Sequence, residues 1–361
     1  MKSKKFVLML VFAIAIAGCS VPQHPQSQDA ISSKAHPETI ESPHTNTVAL
    51  PNPHQLKGLT VVPDIADPEP LKEKFPQTLP VSVTDFEGNK VTVSDTSRIL
   101  AMDLEGTLTR TVIALGYGNS IVGRTVSSTE KQLAHVPVVT QNGHTLNVEA
   151  ILGLKPSVII MDRSIGPTEA VDQLKAAGIP VVFVDPARGI DKNTALITSV
   201  AQALGSEDAG RALAQRTEKE TQEALEKIKT WVPAEPIEGA FLYVRGTGGV
   251  FFILGQKEGA TALIRAVGAK DLATEQGING VTPANAEALA KLNPEVIFTM
   301  SGGLESTDGL QGLLARPGVA QTRAGQNQRV IAIPDGLSLS FGPQTAQTLL
   351  AVARALYGVS E

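Results

Sequence analysis

The chain has 361 residues, and its 31 Lys and Arg against 36 Asp and Glu give a formal net charge of −5. This acidic balance argues against a nucleic-acid partner and against a polybasic contact with a membrane surface. Aromatic residues make up only 4% of the chain. No GxSxG, HExxH or phosphate-binding glycine motif is present, so the common hydrolase and nucleotide-binding signatures are missing from the sequence.

The start of the chain has the pattern of an export signal. Three lysines within the first five residues precede an apolar run, 6–17, that is too short to cross a membrane. Alanine and glycine then stand directly before Cys19, as in a bacterial lipobox. We predict a lipoprotein signal peptide at 1–18 and acyl chains such as palmitate on Cys19; an ordinary signal peptide with a fortuitous cysteine is the alternative. Cys19 is the only cysteine, so no disulfide is expected.

Residues 19–76 are rich in Pro, Ser, Thr, Gln and His and show little hydrophobic periodicity. A segment of this composition buries too little apolar surface to offset the entropy lost on ordering. The sequence therefore predicts a disordered tether between the lipid anchor and the folded part. His24, His36, His44 and His54 lie in this tether, and their irregular spacing and proline neighbours favour a solvated linker over a metal site.

Beyond the tether, apolar strands and helices alternate, which is typical of a mostly parallel α/β sheet. Residues 77–204 are predicted to form an N-terminal lobe, and residues 233–361 a C-terminal lobe. Between them, residues 205–232 contain a long polar stretch whose few apolar residues lie along one helical stripe. A single helix from Glu207 to about Lys229 spans about 35 Å and is expected to lie across both lobes.

A helix–proline–strand unit occurs twice, from Asn147 to Ile160 and again from Asn285 to Phe298, with an offset of 138 residues. Asn, Glu, Leu, Pro and Val recur in register between the two copies. The simplest interpretation is two similar lobes that carry the same unit at the same place. Glu149 and Glu287 then stand in the first turn of the corresponding helices, where a carboxylate complements the helix dipole.

In the stretch Phe241–Gly249, FLYVRGTGG, a predicted buried strand ends with the phenol of Tyr243 and the guanidinium of Arg245. Because strand side chains alternate between faces, Tyr243 and Arg245 are predicted to emerge on the same side. Open α/β sheets bind ligands at the carboxyl ends of their strands. A cation beside the phenol favours the phenolate, and an anionic oxygen is a good ligand for ferric iron. The alternative is a sheet-edge tyrosine whose hydroxyl finds an ordinary hydrogen-bond partner.

A lipobox, a tether and two α/β lobes joined by one long helix resemble a substrate-binding lipoprotein of an ABC importer. The chain is most similar to the helical-backbone class, class III of the periplasmic binding proteins, which carries siderophores, cobalamin or haem. The resemblance extends from about Pro80 to Gly358, and Tyr-Val-Arg-Gly at 243–246 is similar to the haem-binding branch. It implies a monomeric carrier that is not an enzyme and whose lobes close little.

In the haem-binding branch, the resemblance implies that Tyr243 ligates the iron of ferric haem b, the transported ligand, and that Arg245 supports the phenolate. The HmuT-type members add a histidine from the other lobe, and His144 stands at that position in this sequence. His144 and Tyr243 are therefore the expected axial pair, whereas a surface loop histidine is the alternative for His144 alone. His135, which precedes Val136, is expected to lie on the surface.

Three further residues are candidates for the haem pocket. Arg163 and Met300 follow the two repeated strands, where side chains point into a cleft between lobes. Met300 is expected to pack on the macrocycle or to offer its sulfur, and Arg163 to meet a propionate. A core methionine and a solvated arginine are the alternatives. Phe341, in the loop before Pro343, is a candidate for the cleft lining.

The resemblance also implies a partner, because in this class a glutamate at this helix start in each lobe docks with arginines of the permease dimer. Glu149 and Glu287 are the matching residues, and helix-dipole complementarity alone is the alternative. The implied partners are an ABC permease dimer with its ATPase, and upstream haem donors. The implied location is the outer face of the cytoplasmic membrane, with membrane contact through the lipid only.

Two other functions stay open at this point. A ferric-siderophore or cobalamin carrier of the same importer class would leave Tyr243 and His144 without an iron to bind, and would call for more arginines or aromatics in the cleft. An exported enzyme or a nitrogenase-like cluster scaffold is the alternative from a different class. The predicted folded part contains no cysteine that could hold a metal cluster, so a cluster scaffold is disfavoured. No nucleophile–base pair of an enzyme is evident in the sequence either.

Overall fold

The structure is a computed structural model that describes residues 50–360. The predicted signal peptide and Cys19 therefore lie outside the described residues. No helix within 50–360 combines the length and the apolar character that a bilayer crossing requires. The strands are β1 Leu59–Val61, β2 Val81–Thr84, β3 Lys90–Val93, β4 Ile99–Met102, β5 Thr140–Gln141, β6 Thr145–Leu146, β7 Val158–Met161, β8 Val181–Phe183, β9 Glu238–Arg245, β10 Val250–Leu254, β11 Lys270–Asp271, β12 Val281–Pro283, β13 Val296–Met300 and β14 Val330–Ile333.

Helices alternate with these strands along most of the chain, as the sequence predicts. The α-helices are α1 Thr107–Val112, α2 Val148–Leu154, α3 Thr168–Ala176, α4 Asn193–Ala203, α5 Glu207–Lys229, α6 Ala260–Ala266, α7 Leu272–Glu275, α8 Ala286–Leu292, α9 Ser301–Ser306, α10 Gly309–Leu314, α11 Arg323–Asn327, α12 Asp335–Ser338 and α13 Thr345–Tyr357.

The N-terminal lobe is built on a parallel sheet with the order β4-β7-β8. Every residue of these three strands is buried, which is the pattern of a parallel sheet with both faces covered. The β2–β3 hairpin stands beside this sheet, and Asp85 in its turn accepts backbone N–H groups from Glu87 and Asn89. The carboxyl ends of β4 and β7 lie side by side, because Met102 pairs with Met161.

The C-terminal lobe has a mixed sheet with the order β1-β14-β13-β9-β10-β12, and β11 pairs with the first two residues of β9. The strands from β1 to β9 in this order are parallel, while β10 runs antiparallel to both of its neighbours, β9 and β12. Strand β9 lies in the interior of the sheet and pairs with β13 on one side and with β10 on the other. Because β9 is paired on both sides, the backbone near its carboxyl end, which carries Tyr243 and Arg245, is held in place.

Helix α5, 23 residues long, connects the two lobes. Ala209 and Leu213 near its start pack in the core of the N-terminal lobe, and Ile228 near its end packs in the core of the C-terminal lobe. Acidic residues in its first turn and lysines in its last turn complement the helix dipole. The prediction of two α/β lobes joined by one long helix is confirmed.

The repeated unit of the sequence has the same local structure in both lobes. The Asn147 side chain accepts a hydrogen bond from the N–H three positions on at 3.1 Å, and Asn285 does the same at 2.9 Å. Both helices end in a left-handed residue, Lys155 with φ 47° and Asn293 with φ 44°. A buried strand follows each of them after the proline, so β7 and β13 are equivalent strands of the two lobes.

Residues 50–76, which we call the N-terminal strap, are ordered, so the prediction of a disordered tether is wrong for this part. Strand β1 pairs with the edge strand β14, and Val62 donates to the Ala332 carbonyl at 2.8 Å. Leu71 donates to the Ala114 carbonyl at 2.9 Å and packs on the core of the other lobe. The order of the strap could not be predicted from composition, because the strap is an extended segment without hydrophobic periodicity. Backbone hydrogen bonds and a few buried side chains hold it in place.

Side chains of the strap also contact both lobes. His54, expected in a solvated linker, lies 3.2 Å from Glu295 and 3.0 Å from the Glu235 carbonyl. The Asp67 carboxylate accepts the backbone N–H groups of Lys131 and Gln132 at 2.9 and 2.8 Å. The strap therefore begins on the C-terminal lobe and ends on the N-terminal lobe. It joins the two lobes a second time, in addition to α5.

Candidate ligand-binding cleft

A cavity of about 460 Å³ lies between the lobes, at the carboxyl ends of their central strands. It is of the size that small-molecule and cofactor sites occupy in proteins. Both lobes line it with mixed apolar and polar side chains. The lining residues are Leu104, Glu105, Ser164, Pro186 and Arg188 from the N-terminal lobe and Tyr243, Phe252, Leu254, Lys257, Glu258, Val281, Met300, Asp335 and Leu339 from the C-terminal lobe.

The phenol predicted from the sequence lies in this cavity. Tyr243 is half-buried near the end of β9, and the Arg245 guanidinium lies 5.2 Å from the centre of its ring. Both side chains are on the same face of the strand, as the alternation of strand residues requires. The strand ends where predicted, and Arg316 bonds the carbonyls of Gly246 and Gly248 in the turn that follows.

Arg245 is oriented by contacts within its own lobe. Its Nη2 donates to Asp335 Oδ2 at 2.7 Å and lies 3.3 Å from the Met300 sulfur. Asp335 also accepts the backbone N–H of Gly302 at 2.9 Å, so its carboxylate is held between two elements. Met300 and Asp335 both line the cavity, as predicted for Met300. The C-terminal wall therefore combines a phenol, a paired guanidinium and a thioether.

The N-terminal wall contains a buried charge cluster that sequence reasoning missed. Asp103 and Asp162, both fully buried, directly follow β4 and β7. Arg188 Nη2 donates to Asp103 Oδ2 at 3.0 Å and also to Asp162, and its Nη1 donates to the Asp185 carbonyl at 2.9 Å. The sequence did carry a signal, because each acid follows a buried strand, but only the strand order reveals that these ends meet at Arg188.

Glu105 is the third carboxylate of this cluster. One oxygen each from Glu105, Asp103 and Asp162 lie within 4.8 Å of one another. Glu105 Oε2 is 3.8 Å from Arg188 Nε, too far for a hydrogen bond, and neither atom has a partner among the described residues. Burial, and then the neighbouring Asp103 charge, raise the pKa of Glu105 to about 8. The same two causes raise the pKa of Asp162.

His144, predicted as the second iron ligand, is not among the residues that line the cavity. It is exposed in the turn between β5 and β6, after Asn142 and Gly143 with φ values of 49° and 88°. Its carbonyl accepts the Gly166 N–H at 3.1 Å. Gly166 is two residues from the cavity-lining Ser164, so the hairpin tip lies at the rim of the N-terminal wall. The structure therefore brings His144 near the cleft without placing it inside.

Two predicted pocket residues lie elsewhere. Arg163 forms a bidentate ion pair with Glu87 of the β2–β3 hairpin, with Nη2 at 2.8 Å from Oε2, and stacks on the Phe183 ring at 4.1 Å. The charge of Arg163 is therefore paired with Glu87 outside the cleft. Arg188 is instead the arginine that lines the N-terminal wall. Phe341 is only 5% exposed and packs in the core of the C-terminal lobe. Neither residue is among those that line the cavity, where both were predicted.

The two glutamates of the repeat are exposed at the starts of α2 and α8. Neither Glu149 nor Glu287 forms an ion pair with any described residue. Their backbone positions correspond in the two lobes, because each lies two residues after the asparagine N-cap. Two unpaired carboxylates are therefore presented to solvent from equivalent places. His135 is exposed, as predicted.

The fold and the cleft define a two-lobed ligand-binding protein. A family model described as periplasmic binding protein matches residues 103–337. The chain belongs to the periplasmic binding protein family, and the class III fold predicted from the sequence is confirmed. Among curated proteins it is similar to an uncharacterised ABC transporter substrate-binding lipoprotein, YvrC of Bacillus subtilis (strain 168), at 26% identity over 286 residues. That alignment covers 78% of this chain and 87% of the relative.

Solved structures give nearer likenesses. The crystal structure of the haem-binding protein HmuT has 51% identity and a TM-score of 0.83, and the match covers 86% of this chain and 100% of that chain. Three HmuT variants, in which one histidine, one tyrosine or one arginine is replaced by alanine, also have TM-scores of 0.83. The periplasmic haem-binding protein RhuT from Roseiflexus sp. RS-1, in its apo form, has 33% identity and a TM-score of 0.68, and covers 73% of this chain and 99% of its own.

Proposed function

We propose that this protein captures ferric haem between its two lobes outside the cytoplasmic membrane and delivers it to an ABC permease. The observation that carries the proposal is the half-buried Tyr243 phenol in the interlobe cavity, with the Arg245 guanidinium 5.2 Å from its ring. A phenolate is a hard anionic ligand suited to ferric iron, and a nearby cation favours that charged form. Apolar side chains from both lobes, among them Leu104 and Val281, supply walls for a flat macrocycle.

The relatives support the same ligand. HmuT and RhuT are both haem-binding proteins. In HmuT, the tyrosine and arginine chosen for replacement are two positions apart, and the histidine precedes the tyrosine by 99 positions. The same two spacings separate Tyr243 from Arg245 and His144 from Tyr243 in this chain. This coincidence supports Tyr243 and His144 as the axial pair and Arg245 as the residue that supports the phenolate.

Because His144 lies at the rim, iron ligation by both residues requires the β5–β6 tip to reach toward Tyr243. The tip is a short turn of exposed residues, so its movement breaks no buried contact of the His144 side chain. Tyr243, by contrast, already lies in the cavity. We infer that haem binds first to Tyr243 and that His144 completes the coordination from the opposite lobe.

Delivery depends on Glu149 and Glu287. Both are exposed, and equivalent places in two similar lobes put one carboxylate on each side of the molecule. An importer built from two like subunits presents two like surfaces, and paired charges set the register of docking more than its strength. We assign these glutamates to the permease contact, with the lipid on Cys19 and residues 20–49 keeping the protein at the membrane.

The experiment that tests the function is a spectral titration of the purified protein with ferric haem. The proposal expects saturable binding of haem with tyrosinate-to-iron charge-transfer absorption. Cyanocobalamin and a ferric siderophore, added in excess, should not displace the bound haem. Tight binding of either competitor without haem binding would instead support the other carriers of this importer class.

A further inference from the structure

The buried cluster on the N-terminal wall of the cleft has two polar atoms that its own contacts leave unsatisfied. Arg188 has a side chain only 5% exposed, and its Nη atoms are bonded to Asp103, Asp162 and the Asp185 carbonyl. Its Nε–H, however, has no partner among the described residues. A buried donor without an acceptor costs free energy, so this group calls for an acceptor that the ligand supplies.

Glu105 is the second unsatisfied group. Both aspartates are hydrogen-bonded to Arg188, and the third carboxylate lies 3.8 Å from the same guanidinium without a hydrogen bond to it. Glu105 keeps about a fifth of its side chain exposed to the cleft, at 21%. Burial and the Asp103 charge hold its pKa far above the usual range of a carboxyl group. At neutral pH its carboxyl therefore carries a proton and is a hydrogen-bond donor.

The charges around Glu105 come from both walls. Asp103, Asp162 and Arg188 face it from its own lobe, with the Ser164 hydroxyl nearby. Across the cavity stand one lysine and two carboxylates of the C-terminal lobe. These are Lys257, Glu258 and Asp335. Three close carboxylates would suit a divalent cation, but the guanidinium already bonded to both aspartates supplies the positive charge at this point.

We propose that Glu105 and Arg188 form a subsite for a carboxylate of the ligand. The Arg188 Nε–H and the Glu105 O–H are both donors, and a carboxylate oxygen accepts from both. This inference rests on the proposed function, because ferric haem carries two propionates that match the subsite. An ionised Glu105 would repel a propionate, so the subsite works only while Glu105 holds its proton.

The subsite makes haem affinity depend on pH in a defined direction. If only protonated Glu105 donates a hydrogen bond to the propionate, and its pKa in the free protein is about 8, the dissociation constant rises about tenfold between pH 7 and pH 9. Glu105→Gln keeps a donor and the size of the side chain but cannot ionise. Its dissociation constant for haem should therefore not show this rise.

The test compares three proteins between pH 6 and pH 9.5: wild type, Glu105→Gln and the matched control Glu169→Gln, which changes an exposed glutamate on α3. Changes in free haem with pH are common to all three and cancel in the ratio of dissociation constants. Ferric haem dimethyl ester, in which both carboxylates are masked, is the second probe. The wild-type to Glu105→Gln ratio should rise about tenfold between pH 7 and pH 9 with haem and stay constant with the ester.

Thermal unfolding without haem gives an independent readout of the Glu105 proton. Because the folded-state pKa is raised, the stability contribution is present at low pH and is lost as pH rises toward and through about 8. The midpoint of the wild type should therefore fall, relative to Glu105→Gln, between pH 5 and pH 9, while Glu169→Gln follows the wild type.

A constant ratio with haem would overturn the subsite while leaving haem binding in place. An equal rise with haem and with the dimethyl ester would also overturn it, since the carboxylates would then play no part. If no variant and no wild-type sample binds haem, the proposed function fails together with the subsite.

Discussion

Arg245 Nη2 lies 2.7 Å from Asp335 Oδ2, so the cation beside Tyr243 is already paired in the free protein. No hydrogen bond joins Arg245 to the Tyr243 hydroxyl within the described residues. Asp335 therefore competes with a phenolate for the same guanidinium. The pair is about one-third exposed, so solvent weakens it and a charged ligand at Tyr243 can draw on the guanidinium.

The first prediction concerns this competition. Asp335→Asn keeps an oxygen for the Gly302 N–H but removes the charge that neutralises Arg245. The released guanidinium should favour the phenolate, so bound haem should survive to a pH lower by roughly half a unit, the scale of a partly exposed ion pair. The measurement is the pH midpoint of haem release, followed by absorbance. Release at a higher pH than in wild type would contradict the competition.

A second prediction concerns the rim histidine. His144→Ala removes an exposed side chain from a turn, so the free protein should unfold within about 2 °C of wild type. Haem should still bind through Tyr243, but the iron should lose its second protein ligand and become five-coordinate or water-ligated. Electron paramagnetic resonance and absorption spectra report this change. An unchanged spin state at saturation would remove His144 from the site.

The third prediction separates carrying from delivery. Replacing both Glu149 and Glu287 by alanine should nearly stop haem transfer to the permease and leave the haem spectrum unchanged. Each replacement should cost folding at most about 1 kcal/mol, from lost helix-dipole pairing. Permease ATPase stimulation in proteoliposomes is the assay. The double variant Glu169→Ala and Glu223→Ala, which removes two exposed carboxylates elsewhere, is the matched control. Normal transport by the first double variant would leave its glutamates with a structural role only.

The fourth prediction tests the N-terminal strap. A chain that begins at residue 50 keeps β1 and should unfold as the longer protein does. A chain that begins at residue 77 loses the β1–β14 hydrogen bonds and the burial of Val62, which is 1% exposed. It should lose several kcal/mol of stability, because one buried aliphatic side chain alone contributes about 1.5–3 kcal/mol. Urea unfolding measures the difference. Equal stability of the two chains would mean that the strap contributes only to lobe orientation.

Much of the architecture could be predicted because its signals are local. The alternation of strand residues places Tyr243 and Arg245 on one face, and the 138-residue repeat predicts α2 with β7 and α8 with β13. The strap could not be predicted from composition. Its order depends on β14, which is distant in sequence and supplies the backbone partners of β1.

The N-terminal wall of the cleft could not be predicted for a similar reason. Arg163 is the second residue after β7, but Glu87 on the neighbouring hairpin pairs with it outside the cleft. Arg188 reaches the cleft from the loop after β8, and only the strand order β4-β7-β8 places it against Asp103 and Asp162. Contacts between residues so far apart in sequence leave no periodic pattern in the chain.

The central claim is that the Tyr243 hydroxyl ligates the iron of ferric haem. The most direct measurement is a ferric haem titration of Tyr243→Phe beside Tyr117→Phe, which removes the hydroxyl of a tyrosine in the other lobe, hydrogen-bonded to Ser206. Tyr243→Phe should lose the tyrosinate-to-iron charge-transfer band and weaken haem binding by more than the roughly 10–100-fold that loss of a ligand's supporting partner costs. Tyr117→Phe should keep both the band and the affinity. A Tyr243→Phe protein with an unchanged spectrum and affinity would contradict the account.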